Sequence, residues 1–419
     1  MGFRHRRTAT VALVTAASLL MLAAGCTSTT TETSDPGSST ISSAASLGPE
    51  KKATGSPIKI GLVTDGKTDA VDHTPVIAAF KATIQYANDH LGGINGHVIE
   101  VAECSTSNTP SGATTCAVQM ASDKVAAVLV PASAQDGGIF NGLSDSGIPY
   151  VTYSAANTDI ILKPGAFILT NPVGAIAAPA KLAKDKGYSK VGFILIDVPA
   201  ATGPITAIAN PIFAKAGVEL AVTPISPQTA DQTPQIQQAI SEGAKLFTVT
   251  GTDDFAANAI KTLKQLGFDG DVLLGTSPTP AVNDAVPGGL EGVLNNPTVT
   301  DDPNDEDVQL YNAVLSTYAP DAARNSLTPW AFSLALGFVH ALEGQTTAVD
   351  AATVEAALTS MPTAISLPMG GGITFRCGSK PVSFSPNICS SNLLTTTLTA
   401  EGKGSTYSLL DVSQYMTMG

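Results

Sequence analysis

Positive charge is scarce in this chain, whose 419 residues hold 22 Lys and Arg against 35 Asp and Glu. Three of the basic residues fall within the first seven positions, so the other 19 face 35 acids, a charge of −16. Such a surface repels nucleic acid and anionic lipid, and neither is expected as a partner. Catalytic signatures are missing too: there is no GxSxG, no Walker loop, no GxGxxG after a strand and no HExxH. The four histidines beyond residue 25 lack metal-ligand spacing, and no cofactor is expected. After residue 25 no apolar run approaches the roughly 20 residues that span a bilayer as a helix.

What the N-terminus does carry is an export signal. Arg4, Arg6 and Arg7 precede an apolar and small-residue run over 9–25, ending Leu22-Ala23-Ala24-Gly25 before Cys26. Small residues leading into a cysteine resemble the bacterial lipobox, with Ala23 where Leu is usual. That resemblance implies cleavage of 1–25 and acylation of Cys26; an ordinary signal peptide with an incidental cysteine is the alternative. Residues 26–56 are rich in Thr, Ser, Gly and Ala and cannot offset their conformational entropy by burial, so a flexible tether is expected, with ordered protein from near Pro57. Cys104, Cys116, Cys377 and Cys389 form an even set outside the cytoplasm, which favours disulfides. Of three pairings the two local ones are preferred, Cys104 with Cys116 and Cys377 with Cys389. The rival metal site lacks a CxxC and a nearby histidine.

The folded part opens with the apolar run 58–64, which reads as a buried strand. Thr74-Pro75 then supplies an N-cap and first-turn proline, and Val76, Phe80, Ile84, Ala87 and Leu91 recur at helical spacing. Glycines at 92, 93 and 96 stop the helix, and a strand resumes over 97–101. Strand, helix, strand implies a parallel crossover. The alternation continues with strands expected over 126–130, 150–153, 167–170, 190–196, 218–224, 245–249 and 272–274. Helices are expected over 109–123, 138–143, 204–216, 233–241, 253–266, 304–318 and 328–342. About 360 residues of this kind suit two domains rather than one core.

The stretches "IKIGLVTD" and "GGINGHVIEV", with the helix between them, resemble the opening of the type I periplasmic binding proteins of ABC importers, in the branch of the leucine/isoleucine/valine-binding protein. The resemblance implies an α/β fold of two doubly wound parallel-sheet lobes joined by a three-crossing hinge. The crossings are expected near Thr170, Pro297 and Asp350. Residues 57–170 and 298–349 then form the N-terminal lobe, and 171–297 and 350–419 the C-terminal lobe, with the region after 361 placed only loosely.

In parallel sheets ligands bind beyond the carboxyl ends of strands, which points to the loops at 65–73, 131–135, 154–157, 197–203, 251–254 and 276–277. Overlaying the family pattern puts its carboxylate-binding serine on Ser133 and its paired small-residue loop on Ser154, Ala155 and Ala156. Where amino-acid binders place a Thr this chain has Ala156, and where they place the acid that meets the ammonium it has Ser277. Their tyrosines fall on Ala201 or Thr202 and on Thr252. A ligand carboxylate or amide without a free α-amine is therefore favoured, although Asp69, Asp197 or Asp253 could replace the missing acid. Each residue also has a plain reading. Ser133 and Ser154 can cap turns, Asp253 can serve a helix dipole, His73 can be a solvated loop residue, and Trp330 and His340 can be packing.

The expected function is capture of a small molecule (amino acid, amide or small carboxylic acid) between two lobes and its delivery to an ABC permease. The protein is expected to be a non-enzymatic monomer held at the outer face of the cell membrane by its lipid alone. A ligand sensor on the same fold is the second reading, and an exported enzyme the third.

Overall fold

Strand β1 (Gly55–Thr64) is buried on both faces over its second half, 60–64, while Ser56, Pro57 and Lys59 are exposed. Ile58, Ile60 and Leu62 join Val76, Phe80 and Ile84 of helix α1 (Thr74–Tyr86) in one core. Strand β2 (His97–Ser105) then leads to helix α2 (Pro110–Ser122), whose Cys116 and Met120 pack with Val63 on the other face. Gly61 lets α2 approach closely, since a Cβ there would lie 2.5 Å from Met120 Sδ. Full burial of each large apolar side chain contributes about 1.5–3 kcal/mol.

In this computed structural model the described residues are 47–416 apart from 156 and 345–348, and the side chains of 199–207 are outside that description. The export signal, Cys26 and most of the tether therefore lie outside the described residues. Packing is present already ahead of Pro57: Leu47 is buried, and the Lys51 and Ala53 amides donate to Asp89 and Asn88 carbonyls. Helix α1 begins at Thr74 as expected, but His73 occupies the cap position, and Asp72 Oδ1 accepts from the Thr74 amide at 2.9 Å. The chain continues through a π turn and stops at Gly92, φ 79°.

The first lobe continues with β3 (Val128–Val130), α3 (Asp136–Leu143), β4 (Tyr150–Thr152), α4 (Thr158–Leu162) and β5 (Ala166–Ile168), in an all-parallel order β2-β1-β3-β4-β5. The second lobe runs α5 (Gly174–Asp185), β6 (Lys190–Ile196), α6 (Pro199–Ala216), β7 (Glu219–Ile225), α7 (Thr233–Ser241), β8 (Leu246–Thr250), α8 (Asp253–Gln265), β9 (Asp271–Leu274), α9 (Pro280–Ala285) and β10 (Leu294–Asn295). Helices α10 (Glu306–Tyr318) and α11 (Thr328–Ala341) return to pack on α1.

The third crossing comes later than Asp350. Helix α12 (Ala351–Thr359) and the pair β11 (Ile365–Ser366) and β12 (Thr374–Phe375) bury Val354, Leu358, Leu367 and Phe375 beside Phe80 and Phe338 of the first lobe. The segment from Val354 to Cys377 therefore packs on that core, because α12 turns its apolar stripe onto it, while Val382 and Ile388 pack with Ile160 and Ile168 on the other face of the first sheet. Only β13 (Asn392–Leu398) and β14 (Gly404–Asp411) join the second sheet, ordered β14-β13-β10-β9-β8-β6-β7, where both run antiparallel to their neighbours. Both local disulfides, Cys104–Cys116 and Cys377–Cys389, are present. At the hinge, Asn171 Nδ2 donates to the Ser391 carbonyl at 3.4 Å and Asn296 Nδ2 to the Leu394 carbonyl at 3.1 Å.

Candidate functional site

The carboxyl ends of β1, β3 and β4 open onto a cavity of about 480 Å³. Its walls are mostly apolar, from Val71, Val130, Pro131, Ala132, Ala155 and Pro172. The polar groups are few: Asp65 and His73 after β1, Ser133 and Asp136 after β3, Thr152 and Ser154 at β4, with the Trp330 ring at the edge. A concave, largely apolar space with a few convergent polar groups is the usual form of a small-molecule site.

Asp65 organises the polar end. It is the first residue beyond β1 and is 1% exposed. Oδ1 accepts from the hydroxyls of Ser133 and Thr106, both at 2.6 Å, and Oδ2 accepts from the Ala134 amide at 2.7 Å. Ser133 Oγ also accepts from the Gln135 amide at 3.0 Å. Ser133, expected to hold a ligand carboxylate, thus spends its donor on the chain's own carboxylate. His73 Nδ1 accepts from the Asp65 amide at 3.3 Å, which places the ring proton on Nε2. His73 is 7% exposed, so it is a buried lining residue and not a solvated one.

Three of the expected residues, Ser133, Ser154 and Ala155, come together here. Ala156 lies outside the described residues, as does the Thr202 side chain. Among the described residues the second-lobe candidates Thr252, Asp253 and Ser277 do not line this cavity. Thr252 is exposed and caps α8, accepting from the Phe255 amide at 3.4 Å, and Asp253 accepts from Thr279 Oγ1 at 2.7 Å. Ser277 lines a separate cavity of about 350 Å³ with Asn295 and Thr298, and Trp330 borders both spaces. Asp69 is exposed and absent from the lining, and Asp197 is exposed.

Trp330 is packed as expected, stacking on Tyr153 with ring centroids 5.3 Å apart and donating Nε1–H to Thr298 Oγ1 at 2.8 Å. The Tyr153 hydroxyl donates to the Thr298 carbonyl, and burial pushes its pKa well above the usual phenol range. It stays a donor at any physiological pH. The sequence marked the loop 65–73 but did not single out Asp65, and it read His73 as solvated and Trp330 as packing alone, whereas all three line the cavity. For Asp65 a signal existed, because it stands at the carboxyl end of the first apolar strand.

A model of the periplasmic binding protein family matches residues 57–383. The chain belongs to the periplasmic binding protein family. Its fold is the type I form, with mixed α/β lobes built on parallel strands. Similar solved structures include a putative branched-chain amino acid ABC transporter from Rhodospirillum rubrum, 17% identical with a TM-score of 0.69 over 84% of this chain and 99% of the other. A leucine-, isoleucine-, valine-, threonine- and alanine-binding protein from Brucella ovis, in a closed conformation, is 16% identical with a TM-score of 0.64, covering 87% and 97%. An ABC transporter solute-binding protein from R. palustris, in complex with 4-hydroxybenzoate, is 17% identical with a TM-score of 0.61, covering 85% and 97%. At these identities the likeness establishes the fold. No curated protein sequence matches the chain. Members of this family are extracytoplasmic, bind small solutes and work with ABC permeases. Among the described residues no helix is long and apolar enough to cross a membrane.

Proposed function

We propose that this protein is a lipid-anchored solute receptor that takes a small organic molecule into the cavity at β1, β3 and β4 and presents it to an ABC permease. The observation that carries the reading is that cavity: apolar walls around Asp65, Ser133 and Ser154, with Pro172 at the first crossing among them. The solute rests first on the N-terminal lobe, and the C-terminal lobe closes over it, bringing Thr202, Thr252, Asp253 and Ser277 toward it. Cys26 bears the lipid, residues 27–46 act as tether, and the protein works as a monomer.

Thermal unfolding of the full-length protein against amino acids, amides, amines and carboxylic acids tests the reading. A solute at a hundred times its dissociation constant adds about 2.7 kcal/mol to stability. A saturable rise in midpoint for one chemical class is expected. A flat response to every class, with no small molecule retained from host medium, contradicts a receptor. Mass spectrometry of the N-terminus tests the anchor, and an unmodified Cys26 overturns it.

A further inference from the structure

We propose that the polar end of this cavity receives a cationic hydrogen-bond donor, an ammonium group on an aliphatic or aromatic amine, and that Asp65 is its counter-ion. The inference deepens the receptor reading and rests on it. Asp65 is buried, and among the described residues no Lys, Arg or His forms an ion pair with it. Its three partners are two hydroxyls and one amide, so its charge is hydrogen-bonded without being neutralised. A buried carboxylate in that state is stabilised by a cation, and the cavity is where one can enter.

Two of the donors nearest Asp65 are already committed to it. Ser133 Oγ and the Ala134 amide both point their hydrogens at Asp65, and His73 Nδ1 faces the Asp65 amide as an acceptor. The second ionisable acid in the lining is Asp136, while no Lys or Arg lines the cavity. A carboxylate placed beside Asp65 meets a like charge, whereas an ammonium there meets an attractive partner. Oδ2 of Asp65 accepts only one hydrogen bond and keeps capacity for another. The Trp330 ring adds a surface of the kind that attracts cations, and the apolar wall of Val71, Val130 and Pro131 suits the hydrocarbon part.

The test is calorimetric titration of the full-length protein with hydrocarbon-matched probes: 3-methylbutylamine, leucinamide, leucine and 4-methylpentanoate, then tyramine and 4-hydroxybenzoate. The amines and leucinamide are expected to bind at least ten-fold more tightly than the matched acids. In Asp65→Asn the amines are expected to lose at least ten-fold while the acids do not weaken. Because Asp65→Asn sets an amide NH₂ against the Ala134 N–H and can fail to fold, the comparison on the unmodified protein decides by itself. Acids binding more tightly than amines, or no binding by any amine, overturn the assignment. An acid or other solute that binds, or is found bound by native mass spectrometry after incubation in spent medium, leaves the receptor reading standing. No binding by any probe and no retained solute removes both.

Discussion

Ser133 Oγ donates to Asp65 Oδ1 across 2.6 Å and so ties the end of β3 to the end of β1, 68 residues apart in sequence. A residue expected to meet a ligand carboxylate is thereby part of the scaffold that holds a charge in place. Asp65 supplies the charge, and Ser133, Thr106 and Ala134 fix its orientation. The cavity beside it keeps its polar end negative and its walls apolar.

Ser133→Ala is expected to cost about 1.5–3 kcal/mol in urea unfolding, the range for a hydrogen bond to a charged group. Ser154→Ala is expected to stay within about 0.5 kcal/mol of wild type, because the Ser154 hydroxyl makes no hydrogen bond among the described residues, where only its carbonyl is engaged. Equal costs for the two serines contradict the scaffold role of Ser133.

The glycine turn after α1 is expected to show graded sensitivity. Gly93 has φ +65°, and a Cβ there would lie 1.9 Å from the His97 carbonyl oxygen, whereas Gly96 has φ +88° and open space around it. Gly96→Ala should cost about 1–2 kcal/mol for the left-handed backbone alone. Gly93→Ala should cost more than that, since backbone must also move. Denaturant midpoints for the two variants check the order, and a reversed order refutes it.

Each disulfide closes a short loop of separation 12 and is expected to contribute about 3 kcal/mol through loop entropy. The Cys104→Ser/Cys116→Ser and Cys377→Ser/Cys389→Ser pairs, measured by chemical unfolding without reductant, check this. Both should unfold at lower denaturant than wild type, and wild type with reductant, which loses both bridges, should unfold at lower denaturant than either variant.

Much of this fold was legible because its periodicities are clean. Helix α1 and strands β1 and β2 follow from apolar spacing and glycine stops, and α2 from Thr109-Pro110, where Thr109 Oγ1 does accept from the Gly112 amide. Helix α5 escaped notice because Pro179 lies inside an alanine-rich segment that reads as a break. Helix α12 carried a readable capping box at Asp350 and Thr353, but only tertiary packing reveals which lobe its apolar face covers. The cavity was legible as a set of strand-end loops. The use of Ser133 was not, because its partner lies on another strand and nothing local marks the pair.

His340 is expected to make stability fall in mild acid. Burial holds its pKa below the usual 6.5, against the opposing pull of Glu343 and Asp307. The unfolded ring takes up a proton as pH drops through about 6.5, while the folded ring resists. The unfolded state then binds more protons, so stability declines from that pH downward and levels once the folded ring protonates too. Asp307, pushed up by burial, has the opposite sign: its folded form holds a proton more readily. Unfolding of wild type and His340→Gln between pH 7.5 and 5 separates them, with the steeper acid decline in wild type. Parallel curves contradict the assignment.

Trp330 is the only tryptophan in the chain and borders both cavities, so its fluorescence reports directly on the cleft. The decisive measurement is a titration of that emission with the tightest-binding solute of the panel, in wild type and in Ser154→Leu, which fills the cavity. A saturable change whose midpoint matches the calorimetric constant, and which is lost in Ser154→Leu, is the expected result. Tight binding by calorimetry that leaves Trp330 emission unchanged and survives Ser154→Leu places the solute elsewhere and contradicts the proposed site.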